Sequence, residues 1–197
     1  MTIFFLLRHA AHDNLGRFLA GRSANVSLGA QGRAQALRLG ARMRQEGCDA
    51  IFSSPSERTR ETAQAVSVAC AIGPVTVRGE LDEIDFGPWS GKTFAELNND
   101  PNWRHWNSRR DIAVTPAGES MADARRRVCD FMEDLAQEFP QGRMALVSHA
   151  DVIKSVICHV LGLSADRCFR FDIQPASVSV VTMGETEPRL LRLNETV

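Results

Sequence analysis

Short apolar runs alternate along the chain with stretches in which apolar positions recur every three or four residues. The first run, residues 3–7, is Ile-Phe-Phe-Leu-Leu, continuously apolar and rich in aromatic side chains, as in a strand buried on both faces. Residues 30–46 carry helical spacing, with Ala34, Leu37 and Ala41 on one face and Arg33, Arg38 and Arg42 largely off it. Residues 50–53 form a second strand. Ser54 suits the N-cap of the next helix, Pro55 its first position, and Glu57 completes a capping box. Residues 75–77 are a third strand. From 119 to 139 the spacing of Ala124, Val128, Phe131, Leu135 and Phe139 is helical, and Pro140 and Gly142 end the helix. Residues 144–148 form a strand. Val152, Ile153, Val156, Ile157, Val160 and Leu161 mark a further helix closed by Gly162, and residues 177–182 and 189–193 are two more strands.

Strands alternating with helices predict a three-layer α/β/α sandwich around a mostly parallel sheet. Residues 93–117, with Trp103, Arg104, His105, Trp106, Arg109 and Arg110, break the rhythm and are read as an irregular insert over one edge. A length of 197 residues fits one domain spanning 1–197. The formal net charge of -1 gives no reason to expect a nucleic-acid partner. The five cysteines form no C-x-x-C pair and no zinc spacing with histidine, so they read as small buried hydrophobes in a reducing compartment. The apolar run before Arg8 is too short for a signal peptide or a membrane span, and a cytoplasmic protein without membrane contact is expected.

Ligands of open α/β sheets bind beyond the carboxyl ends of the strands. Here the first strand runs into Arg8 and His9, the second into a helix bearing Arg58, and the strand at 144–148 into His149. Two arginines and two histidines at one rim suit a phosphoryl group. Arginine presents a planar fork of donors that never loses its charge, and helix N-termini add further donors. An unprotonated imidazole nitrogen can attack phosphorus, and the second histidine can donate to the transferring oxygens. Cleavage of the ester also needs a proton donor. Asp82, Glu83 and Asp85 follow the third strand, and a carboxyl beside Phe86 and Trp89 would be kept protonated by desolvation.

Five fragments stand in order: L-L-R-H ending at His9, S-S-P-x-x-R-x-x-x-T-A from Ser53 to Ala63, L-x-E-x-x-x-G-x-W-x-G from Leu81 to Gly91, P-x-G-E-S from Pro116 to Ser120, and V-S-H ending at His149. Together they resemble the signature of the histidine phosphatase (phosphoglycerate mutase-like) superfamily. The resemblance implies that His9 is the nucleophile that becomes phosphorylated. It implies that Arg8, Arg58 and His149 line the phosphate pocket and that Glu83, four residues before Gly87, is the proton donor. It implies neither a metal nor an organic cofactor. The sequence departs from the family pattern at Ala10, Ala11 and Ala150, where the family commonly has Gly and an acidic residue, and Gly, respectively. Asn14 aligns only loosely with a phosphate-contacting Asn.

The expected activity is hydrolysis of a small phosphorylated metabolite. A phosphoglycerate mutase is the alternative, and a non-catalytic phosphate-binding module a third. The 66 residues from Glu83 to His149 leave little room for the segments that close the site in mutases. Candidate substrate contacts are Asn14, Gly21 and Arg22 in the loop after the first strand, and Trp106 in the insert, where packing is an equal reading for both tryptophans. Arg104, Arg109 and Arg110 read as a solvated face. His12, His105 and His159 belong to no motif, and His159 is expected to pack on its helix.

Overall fold

The computed structural model describes residues 1–184 and 186–197. The strands are β1 (Thr2–Arg8), β2 (Ala50–Ser53), β3 (Thr76–Val77), β4 (Arg143–Ser148), β5 (Val178–Met183) and β6 (Arg189–Glu195). They form one sheet in the order β3-β2-β4-β1-β5-β6. β1 runs parallel to β4, and β2 parallel to both β4 and β3, while β5 is antiparallel to its neighbours β1 and β6. The sheet is therefore mostly parallel, as predicted.

Side chains alternate across a strand, so β1 feeds two cores. Phe4 and Leu6 join Phe52, Met144 and Leu146 beneath helices α5 (Met121–Glu138) and α6 (Ala150–Val160). Phe5 and Leu7 join Ile51, Ala145 and Val147 beneath α1 (Ala30–Arg44) and α2 (Glu57–Cys70). This is the α/β/α sandwich. Among the described residues no helix is long and apolar enough to cross a membrane. All five cysteines are free thiols, and burial pushes that of Cys48 up to about 12.

Three local expectations are corrected. The buried face of α1 is Gly32, Ala36, Leu39, Gly40 and Met43, whereas Ala34 and Ala41 are exposed and Leu37 is 68% exposed. The helix turns its glycines inward because α2 and the loop after β1 come too close for a side chain: a Cβ on Gly40 would stand 2.8 Å from the Ala65 carbonyl, and one on Gly32 would run into that of Ala11. Helix α2 begins at Glu57, with Ser56 as its N-cap and no side-chain capping bond, while the Ser54 hydroxyl accepts from the Ser56 N–H at 3.3 Å and also meets His149. The insert is more regular than its sequence rhythm suggested. It holds α3 (Phe94–Leu97), capped by a Thr93–Glu96 box, and α4 (Pro101–Ser108), capped by Asp100.

Candidate active site

The strand order puts the carboxyl ends of β2, β4 and β1 side by side. Arg8 pairs with Ser148, and Ser53 with Val147. The His9 N–H donates to the Ser148 carbonyl at 3.0 Å. His9, at the end of β1, and His149, at the end of β4, thus become neighbours with ring centres 5.3 Å apart. Arg58, in the first turn of α2, reaches His149 with Nη2 at 3.1 Å from Nδ1. All three are almost wholly enclosed, at 4%, 0% and 1% exposure. The five residues expected to carry the chemistry are gathered at one rim, since Glu83 Oε2 lies 3.8 Å from His149 Nδ1 and Arg8 is anchored by Nη1 to the Ile173 carbonyl at 2.6 Å.

The protonation states follow from local partners. His9 Nδ1 lies 2.8 Å from the Ala10 carbonyl, which only accepts, so the ring proton sits on Nδ1 and Nε2 keeps its lone pair. Burial, with Arg58 and Arg8 close by, lowers the His9 pKa well below its ordinary value, so the ring is neutral. The same causes act on His149. Burial and then Asp151 raise the Glu83 carboxyl to about 7. Among the described residues, Arg58 Nε and Nη1 and Arg8 Nε are buried without a partner. Buried guanidinium donors without acceptors are costly unless an anion meets them.

The carboxyl loop at 82–85 is held by Arg127, which the sequence did not single out, and by Arg22, which it offered as a substrate contact. Arg127 donates to the carbonyls of Glu80 and Glu83 at 2.6 and 3.3 Å and pairs with Glu119 at 2.9 Å. Arg22 donates from Nε to the Glu83 carbonyl at 2.7 Å and pairs with Glu119 at 2.9 Å and Asp85 at 3.4 Å. Arg22 therefore braces this loop with the nitrogens a substrate would need. Gly21, with φ of +51°, is buried and offers its carbonyl to Arg58 Nη2 at 2.7 Å. Asn14 sits exposed in the turn after His12.

Trp106 is corrected. It has no exposed surface and packs on Phe86, ring centres 6.1 Å apart, under the Arg110 guanidinium at 4.6 Å. Trp103 is buried beside it, on Trp89. The insert uses its tryptophans as core. Arg110 is not part of a solvated face either: it is buried and pairs with Asp151 at 2.9 Å. His159 is exposed rather than packed. His12, assigned to no motif, lies in the site, 6.1 Å from His9 and 5.9 Å from Phe18, with Nδ1 buried and unpartnered among the described residues. Burial, then Arg58 and Arg8, lowers its pKa. Its spacing of three from His9 was the only available signal.

The histidine phosphatase superfamily (branch 1) matches residues 4–196. Phosphoserine phosphatase 1 of Hydrogenobacter thermophilus is 30% identical over 200 residues, covering 100% of this chain and 93% of that protein. The probable phosphoglycerate mutase GpmB of Salmonella arizonae is 32% identical over 192 residues, covering 95% of this chain and 87% of the other. Among solved structures, phosphoserine phosphatase of Entamoeba histolytica in complex with 3-phosphoglyceric acid superposes with a TM-score of 0.87 at 28% identity, over 100% of this chain and 98% of that one.

Proposed function

The chain belongs to the histidine phosphatase superfamily, and from that premise we propose that it hydrolyses a small phosphomonoester through a phosphohistidine at His9. His9 Nε2 attacks phosphorus while the P–O bond to the leaving group breaks. Arg8 and Arg58 hold the phosphoryl oxygens in a pocket lined by His149, and Glu83 gives its proton to the leaving oxygen, releasing an alcohol. Water then attacks the phosphohistidine, Glu83 takes back a proton, and inorganic phosphate leaves with His9 neutral again. One observation supports this reading above the rest: a neutral imidazole with its lone pair on Nε2 stands beside guanidinium nitrogens that have no protein partner.

We place this activity in one domain over residues 1–197, in the cytoplasm, with neither metal nor organic cofactor. The unpaired cysteines suit a reducing compartment. The relatives named for phosphoserine and seen with 3-phosphoglyceric acid make small carboxylate-bearing phosphomonoesters the first substrates to assay.

The test is turnover of p-nitrophenyl phosphate without metal, together with trapping of a phosphoenzyme that is labile in acid and stable in alkali. His9→Ala removes the phosphoenzyme and lowers turnover by roughly 10,000-fold or more. Near-wild-type turnover by that variant overturns the mechanism. Assaying 3-phosphoglycerate with and without a bisphosphorylated primer separates release of phosphate from its return to substrate, the reaction that a mutase performs.

A further inference from the structure

The Ser54 hydroxyl precedes α2 but does not cap it. Its Oγ is fully buried and has three polar neighbours: the Ser56 N–H at 3.3 Å, His149 Nε2 at 2.8 Å and Asp82 Oδ1 at 3.2 Å. A hydroxyl has one proton to give and two lone pairs to offer. The Ser56 N–H can only donate and a carboxylate can only accept, so the Ser54 proton goes to Asp82. His149 Nε2 then carries the proton that reaches Ser54. That leaves Nδ1 of His149 as an acceptor, which is what Arg58 Nη2 requires at 3.1 Å. The second proton of the same Nη2 goes to the Gly21 carbonyl at 2.7 Å. With Nη2 held on both sides, Nη1 and Nε are the buried nitrogens left without a partner. Asp82 is itself fixed by the Glu83 N–H at 2.9 Å and by Arg22 at 3.5 Å.

We propose that Ser54 and Asp82 are positioning residues that act through His149: they hold its Nε2-protonated tautomer, so that Nδ1 anchors Arg58 and leaves Nη1 and Nε to the phosphoryl group. The inference rests on the hydrolase reading above. The opposite tautomer would set an N–H of His149 against an N–H of Arg58 and leave the Ser54 side of the ring with a reversed hydrogen bond. The acid loop and the phosphate pocket are thereby joined, since Asp82 precedes Glu83.

The experiment combines ¹⁵N NMR of the histidine rings with inorganic phosphate as a competitive ligand and p-nitrophenyl phosphate as substrate. Wild-type His149 is expected as the Nε2-protonated tautomer. In Ser54→Ala the tautomers mix. Phosphate binding and kcat/KM both fall by roughly 10- to 100-fold, the expected effect of leaving a buried donor unpaired. Ser54→Thr keeps a hydroxyl and restores the wild-type tautomer, and Asp82→Asn gives a smaller loss in the same direction. A merely structural role would lower the melting temperature while leaving tautomer and phosphate affinity unmoved. Nδ1 protonation in the wild type, or wild-type phosphate affinity in folded Ser54→Ala, overturns the proposal. Should Ser54→Ala fail to fold, Asp82→Asn decides, and an unchanged tautomer and affinity there overturn it. A wild type that forms the phosphoenzyme beside a fully active Ser54→Ala sinks the relay alone, whereas a wild type with no phosphoenzyme sinks the hydrolase reading as well.

Discussion

Glu83 and His9 are both enclosed, and enclosure moves their pKa values in opposite directions. A buried carboxyl resists losing its proton and a buried imidazole resists gaining one. Glu83 at about 7 is protonated below that pH, and His9, lowered well below 6.5, is neutral over the same range. The proposed acid and nucleophile are therefore in their working states together on the acid side of neutrality. The profile of kcat/KM against pH is expected to be bell-shaped, with its falling limb near pH 7. Glu83→Gln removes that limb and lowers kcat by roughly 100-fold or more. A wild-type profile that climbs steadily to pH 9 contradicts the assignment. Stability carries the same signature. Because the folded pKa of Glu83 is raised, its contribution to folding is fully present below the ordinary carboxyl value of 4.5 and is lost as pH rises through about 7. Denaturant titrations at pH 5 and pH 8 should thus show Glu83→Gln gaining stability relative to wild type at the higher pH.

Helix α1 shows how packing overrides an apolar stripe. Its periodicity favoured Ala34, Leu37 and Ala41 as the inner face, yet the inner face is built around Gly32 and Gly40, which a hydrophobic count passes over. The gain lies in close approach to α2, where Gly40 meets Ala65 and Ala69. Alanine is the better helix former by about 1 kcal/mol. Gly40→Ala should nevertheless destabilise the protein by about 1–3 kcal/mol, since its Cβ would stand 2.8 Å from the Ala65 carbonyl oxygen and 2.9 Å from the Ala69 Cβ. Urea denaturation measures this, and a stabilised variant refutes the packing account. At the start of α2, Ser54 is a plausible cap by sequence and a link to His149 in space. The insert likewise keeps its sequence cues, Thr93 with Glu96 and Asp100 before Pro101, but they begin helices too short for periodicity to reveal.

Across the molecule, the candidate site is set by where strand ends meet, and a hollow of the surface can lie elsewhere. A concavity of about 830 Å³ lies at the amino end of β1, against Met1, Glu133 and Met183, and its described lining holds neither histidine nor arginine. The carboxyl ends of β2, β4 and β1 concentrate unpartnered cationic donors instead. On the proposed function those donors receive an anion in the folded state, and a ligand that binds only the folded state stabilises it by mass action. Inorganic phosphate at a hundred times its Kd should add about 2.7 kcal/mol, or roughly 5–10 °C in melting temperature for a chain of this size. Arg58→Ala should abolish the shift. An equal shift in that variant would mean that phosphate binds elsewhere.

The amino-acid sequence alone determined the strands, the sandwich and the residues capable of phosphoryl chemistry. These are local properties: runs of buried side chains, turn and cap residues, and an imidazole, guanidinium or carboxyl just past a strand end. Arg8, His9, Arg58, Glu83 and His149 could be picked out as candidates because each is tied to such an end or to an ordered motif, and the fold brings them together. What only the tertiary structure decided depends on distances between segments far apart in the chain. It set which face α1 buries, that Trp106 is core and Arg110 enclosed, that His12 stands beside His9, and that Ser54 bonds His149 across 95 positions of sequence. A side chain's chemistry is written in its type, but its partner, its tautomer and its pKa are settled by whatever the fold sets against it.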